Sequence, residues 1–160
     1  MEERLSQEEL DERIAILRRF RSLLEQQRSK FEEYLHVLEL QESKINEEDA
    51  DALIAHSELE SQIVQGIGSL QKVIVPMQKL YNSKAASYNP QDAIPVEKLQ
   101  KDLVRLQSQV LEQNEKNRTL LKSHIEELRK QMVQMKNPYR TRTSVYAEKS
   151  SVGSRILVEA

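Results

Sequence analysis

A strict seven-residue repeat of apolar side chains in the first third of the chain most limits what it can fold into. The repeat contains no glycine or proline, and it runs through Leu10, Leu17, Leu24, Phe31, Leu38 and Ile45. Ser6 with Glu9 fits a capping box, which predicts that a helix begins there. Such a helix, over residues 7–45, would be about 60 Å long at about 1.5 Å per residue. Because it cannot bury its stripe alone, neighbours of similar length are expected.

A second helix is predicted over residues 47–81. Asn46 is the candidate break and N-cap, and the acids that follow it suit the positive end of a helix dipole. The apolar stripe steps by three and four through Leu53, His56, Ile63, Ile67, Leu70, Ile74, Met77 and Tyr81. Pro76 lies inside this pattern and should kink the helix. A short strand over the letters VIVP is the alternative, but it would have no partner strand.

A third helix is predicted over residues 96–136, after a polar, proline-bearing connector at 82–95. Pro95 suits its first turn, and Asn137-Pro138 is a stop signal. Polar residues divide its apolar stripe at Asn114 and at Asn117 or Arg118, and this interruption indicates either a register device or a contact surface. The apolar positions are Leu99, Leu103, Leu106 and Val110 before it, and Leu121, Ile125, Leu128, Met132 and Met135 after it.

The composition favours helices throughout. Charged residues make up 31% of the 160 residues and aromatic residues 4%, and there are three glycines and four prolines. This is typical of long helices and coiled coils. We therefore predict an all-α fold, an elongated antiparallel helical bundle or coiled coil of about three long helices. Residues 1–136 would form the bundle, and residues 137–160 a flexible, mildly basic tail.

Several classes of function are disfavoured by the residues themselves. The net charge of −2 and the absence of cysteine argue against nucleic-acid binding and thiolate metal sites. His36, His56 and His124 fall on three different predicted helices and have no metal-ligand spacing around them. Neither a phosphate-binding loop, a membrane span nor a secretion signal is recognisable. We expect a cytoplasmic protein that is not an enzyme and that needs no cofactor or metal.

The chain has the pattern N-x-x-N-x-x-L-L over residues 114–121, and a long helix is predicted at its start. These two features together resemble those of a known family. The chain resembles the FlgN family of flagellar export chaperones, which are almost entirely helical and carry such a stretch in their last long helix. It departs from the family where Gln41 replaces a common acid, in a longer N-terminal helix, and in its basic tail.

The resemblance implies a chaperone that binds flagellar hook–filament junction proteins, which are substrates of type III export. Such a chaperone prevents premature association of its cargo and delivers it to the export gate. Tyr139 and Tyr146 are the candidates for docking to the export apparatus. The cargo-binding candidates are Leu103, Leu106, Val110, Asn114, Asn117, Leu120, Leu121, Ile125 and Leu128.

Two alternatives stay open at this point. The cargo-binding candidates could instead form the protein's own core, with the two asparagines setting the register of the helices. The whole chain could also be a structural coiled-coil scaffold or tether that forms a homo-oligomer. The unbroken heptads of the first helix favour the scaffold, whereas the polar break, Pro76 and the predicted tail favour the chaperone. A chaperone for some other secretion substrate would share the same physics.

Overall fold

Three long helices make up the fold. The computed structural model describes residues 6–84 and 88–140, with side chains as far as residue 135. The helices are α1 (Gln7–Asn46), α2 (Ala50–Ser83) and α3 (Pro90–Arg140), and the described residues contain no strand. The predicted all-α fold of about three long helices is confirmed. The chain divides into two compact units, Met1–Arg118 and Thr119–Ala160.

The predicted capping box begins α1. The Glu9 backbone N–H donates to Ser6 Oγ over 3.3 Å, and the Ser6 N–H donates to the Glu9 carboxylate over 3.1 Å. These two bonds satisfy backbone donors that the first helical turn would otherwise leave unpaired.

The turn between α1 and α2 differs from the prediction. Asn46 is the last residue of α1, and Asp49 is the N-cap of α2, where its carboxylate accepts from the Ala52 N–H over 3.1 Å. The chain reverses through Glu48, whose φ of 57° lies in the left-handed region. Both Asn and Asp are good N-caps, so residue type alone did not separate the two positions.

The other helix ends also differ from the prediction. Pro90 rather than Pro95 occupies the first turn of α3, so this helix begins six residues earlier, where Asn89 accepts a hydrogen bond from the Gln91 N–H over 3.3 Å. The helix then continues through Asn137-Pro138 to Arg140. Pro76 lies inside α2, so the strand alternative is wrong, and the kink stays a prediction. The predicted tail lies outside the described residues from position 141 onward.

The first unit is a three-helix bundle in which α3 runs parallel to α1. Arg28 pairs with Asp102 over 3.3 Å and Lys116 with Glu42 over 2.7 Å, so both pairs join α1 and α3 at the same offset of 74 residues. The core has one cluster around Phe20 and Tyr81 and a second around Leu38. The Phe20 and Tyr81 rings lie 4.9 Å apart between centroids, and Tyr88 stacks on Tyr81 at 4.8 Å.

Candidate functional site

Asn117 is the centre of a polar contact between α1 and α3. Its side chain is only 4% exposed. Its Nδ2 donates to the Leu38 carbonyl oxygen over 2.7 Å, and its Oδ1 accepts from Gln113 Nε2 over 2.9 Å. The same Nδ2 also makes a second, longer hydrogen bond, to Gln41 Oε1 over 3.5 Å. A buried amide with both its donor and its acceptor paired is stable in a helical core.

The network extends to α2 and to the bundle surface. Glu60 of α2 accepts from Gln41 over 2.8 Å and from the Tyr34 hydroxyl over 2.9 Å. Burial, together with the hydrogen bond to Glu60 and its negative charge, raises the pKa of Tyr34 to about 12. We call the linked side chains the polar layer; its members are Tyr34, Gln41, Glu42, Glu60, Gln113, Lys116 and Asn117.

Glu42 holds the outer end of the polar layer. Its carboxylate accepts from Gln113 over 2.6 Å and pairs with Lys116 over 2.7 Å. These hydrogen bonds, with that from Lys116 the largest cause, lower the pKa of Glu42. Because the layer joins all three helices through bonds of fixed geometry, it holds them in one register. The polar break in the α3 stripe therefore acts as a register device within the first unit.

The cargo-binding candidates fall into three groups by exposure. Leu103, Leu106, Val110 and Asn117 are buried in the first unit, so the chain's own bundle covers them, as the core alternative proposed. Asn114 and Leu120 are half-buried. Leu121, Ile125 and Leu128 are exposed. The side chain of Tyr139 and all of Tyr146 lie outside what the structure describes.

The second unit carries an exposed row of apolar side chains along α3, which we call the open stripe. Its residues are Leu121 (42% exposed), Ile125 (42%), Leu128 (46%), Met132 (57%) and Met135 (73%). The steps of four, three, four and three place them on one helical face. Apolar side chains on a single face typically bury themselves against a partner.

The spacing of the stripe is continuous with that of the buried row. From Leu99 to Met132 the steps repeat as four, three, four, which is an 11-residue repeat. This repeat corresponds to about 3.67 residues per turn, close to the roughly 3.6 of an α-helix. In the first unit, a row with this spacing packs α3 against the other helices, so the open stripe has the pattern of a row that the chain buries elsewhere.

Two features of the structure were not predicted from the sequence, namely the hydrogen-bond partners of Asn117 and a set of exposed apolar side chains. The partners of Asn117 were not identified, although a polar residue in an apolar row implied them. Exposed apolar side chains on α2 were also missed, and only one of them, Val64, lies in the uncharged run at 61–71. These α2 side chains are Ile54, Leu59, Val64, Val73, Val75 and Leu80.

Residues 6–84 and 88–140 bear on two other kinds of site, a metal centre and a membrane span. No group of three or more histidine or acidic side chains there is placed to hold a metal ion. Of the helices in this part of the chain, none combines the length and the apolar character that crossing a membrane requires.

The first unit is a helical bundle, and the second unit carries the open stripe on its part of α3. The chain is 39% identical over 129 residues to an uncharacterized protein of Treponema pallidum (strain Nichols), an alignment that covers 81% of this chain and 80% of that protein. The chain belongs to the same family as this Treponema protein. Neither a protein-family model nor a solved structure matches it. The resemblance to the FlgN family therefore stays a prediction.

Proposed function

We propose that this chain is a cytoplasmic export chaperone, a non-catalytic binding protein that holds an amphipathic helix of its client. The observation that carries this proposal is the open stripe, five apolar side chains at helical spacing that are 42–73% exposed. An amphipathic helix that lays its apolar face on such a row is a common mode of recognition. The row continues the spacing of an interface that the chain already uses for its own helices.

The expected strength of this contact suits a chaperone. Covering a half-exposed leucine or methionine stabilises a complex by roughly 1 kcal/mol. Because the client helix buries a matching apolar row, the two faces together supply about 10 kcal/mol, against an association cost of about 4–15 kcal/mol. A contact of this size holds a client helix reversibly. The client can therefore be released when it is handed on.

The client class comes from the resemblance to the FlgN family. It implies flagellar hook–filament junction proteins as clients and the flagellar export apparatus as the second partner. In the quoted stretch N-x-x-N-x-x-L-L, the second asparagine is Asn117 of the polar layer, and the last leucine is Leu121 of the open stripe. Docking through Tyr139 and Tyr146 remains a prediction of the same resemblance.

Co-purification with the junction proteins of the same cell, with the mass of each species from light scattering, tests this proposal. A complex of one chaperone with one junction protein is expected. A tight homo-oligomer that does not bind any junction protein would contradict it.

A structural scaffold is the second candidate, and the exposed apolar side chains of α2 favour it. Val73 and Leu80 lie seven residues apart and are both exposed, as two positions of a helix–helix seam would be. If the chain is a scaffold, light scattering gives a homo-oligomer, and changing Val73→Asp with Leu80→Asp dissociates it. If the chain is a chaperone, this double change should leave the mass of the free protein, measured by light scattering, unaltered.

A further inference from the structure

One edge of the open stripe is basic. Lys122 and Arg129 are exposed and lie seven residues apart, each directly after a leucine of the stripe. In sequence, Lys136 continues the same seven-residue spacing. Residues at these positions flank the apolar seam of a helix pair and contact the edge of the partner helix.

The other edge of the stripe carries no acid. His124 and Gln131 precede Ile125 and Met132, so they occupy the opposite flanking positions. Of the nearby carboxylates, Glu127 lies on the far side of the helix, and Glu126 lies beyond the basic edge, four residues after Lys122 and three before Arg129. Lys122 and Arg129 form no ion pair with any residue that the structure describes. Two basic side chains thus stand unpaired beside an uncovered apolar row.

We infer that the open stripe selects a helix with acidic residues along one edge, which pair with Lys122 and Arg129. This inference rests on the proposed function and narrows its client to acidic-edged amphipathic helices. Charge complementarity at the rim of an interface selects the partner and speeds association more than it adds affinity.

The same charges disfavour a second copy of this chain as the occupant. In an antiparallel pair of identical stripes, the basic edges of the two helices meet, and like charges oppose each other. In a parallel pair in register, the basic edge meets the opposite edge of the partner, with Arg129 opposite His124, which supplies no carboxylate. A client helix with acidic edges meets neither difficulty.

Three synthetic peptides test the inference with the full-length protein. Each has about 20 residues, enough at about 1.5 Å per residue to cover the stripe. All share one leucine and isoleucine seam, and their edges carry glutamate, glutamine or lysine. We expect the glutamate peptide to bind roughly tenfold more tightly than the glutamine peptide, as two exposed ion pairs allow, and the lysine peptide to bind most weakly. This preference should shrink between about 50 mM and about 500 mM salt because ions screen exposed charges.

Matched variants assign the preference to the basic edge. Lys122→Glu with Arg129→Glu should invert the order of the glutamate and lysine peptides. Lys72→Glu with Lys79→Glu makes the same change of charge at the same spacing on α2, and it should leave the order intact. Equal binding of all three peptides, binding of none, or the same inversion in the α2 control would overturn the inference.

The native client separates this inference from the proposed function. If a junction protein binds the wild type and the Lys122→Glu, Arg129→Glu variant equally well, only the acidic-edge inference fails. If no junction protein binds the wild type, the proposed function fails, whatever the peptides do.

Discussion

The side-chain amide of Asn117 donates a hydrogen bond to the backbone carbonyl of Leu38 over 2.7 Å, across 79 residues of chain. A slip of α3 along α1 would move this amide away from its partners and leave it unpaired in an apolar core. An unpaired buried amide costs about 1–3 kcal/mol. The contact therefore sets the register in which α3 packs on α1.

Replacing Asn117 tests this role. Asn117→Ala removes a buried donor and acceptor and leaves Gln113 and Gln41 short of a partner, so it should lower the free energy of unfolding by about 1–3 kcal/mol. Urea unfolding followed by circular dichroism measures the change. Asn114→Ala is the control, because Asn114 is half-buried and its side chain makes no hydrogen bond with the described residues; less than about 1 kcal/mol is expected. Equal losses in the two variants would contradict the assignment.

Tyr34 should make the protein less stable at high pH. Its pKa rises from 10.0 to about 12 on folding, so the folded state holds the phenolic proton more tightly than the unfolded state does. The resulting stability is fully present below pH 10 and is lost as the pH rises through about 12.

The variant Tyr34→Phe isolates that contribution. In an ultraviolet absorbance titration of the tyrosines, it should remove the component that titrates near pH 12, and the loss of stability at high pH should become shallower. Persistence of that component in Tyr34→Phe would show that another tyrosine is responsible.

Protonation of Glu42 should make the protein less stable at low pH. Hydrogen bonds from Lys116 and Gln113 lower its pKa from 4.5, so the folded state binds its proton less readily than the unfolded state. The stability from this group is present above pH 4.5 and is lost as the pH falls through the lowered value. Thermal unfolding across this range should depend less on pH in Glu42→Gln. Glu39→Gln, which removes a carboxylate without a hydrogen bond to the described residues, should follow the wild type; a matching change there would refute the assignment.

Gly68 offers a stabilising change. A methyl group at this position would have no atom within 4 Å, apart from neighbouring residues and the helix's own backbone. Because alanine favours the helix interior over glycine, Gly68→Ala should raise the free energy of unfolding by about 0.5–1 kcal/mol. At Gly66 the added methyl would meet the Lys30 side chain at 3.8 Å, an ordinary contact, so Gly66→Ala should stabilise to a similar extent. A lower urea midpoint for Gly68→Ala would indicate an unseen contact on this face of α2.

The helices could be predicted from the sequence because they depend on local patterns. The heptads of α1 and the capping box at Ser6 both depend on residues close in sequence, and both appear in the structure. The start of α3 was predicted less well, because Pro90 and Pro95 suit a first helical turn equally. The choice between them depends on packing at the connector, including Tyr88 on Tyr81.

The division of α3 into covered and open parts could not be predicted. Its four-three-four spacing is the same around Leu103, which is buried, and around Leu128, which is exposed. What differs is burial: the other helices of the first unit cover the row around Leu103, whereas the row of the second unit is exposed. That cover comes from residues distant in sequence, so spacing within α3 alone could not separate the core interpretation from the contact interpretation.

The central claim is that the open stripe binds a client helix, and the most direct test places charge on it. Leu121→Asp with Leu128→Asp should weaken binding of the junction protein by at least about tenfold, since a buried carboxylate is costly, while helicity and unfolding stay as in the wild type. Val104→Asp with Leu111→Asp is the matched control, because both residues are exposed on α3 and also lie seven residues apart; this variant should bind normally. Wild-type affinity in the stripe variant would contradict the claim, as would its global unfolding, which would place these leucines in the protein's own core.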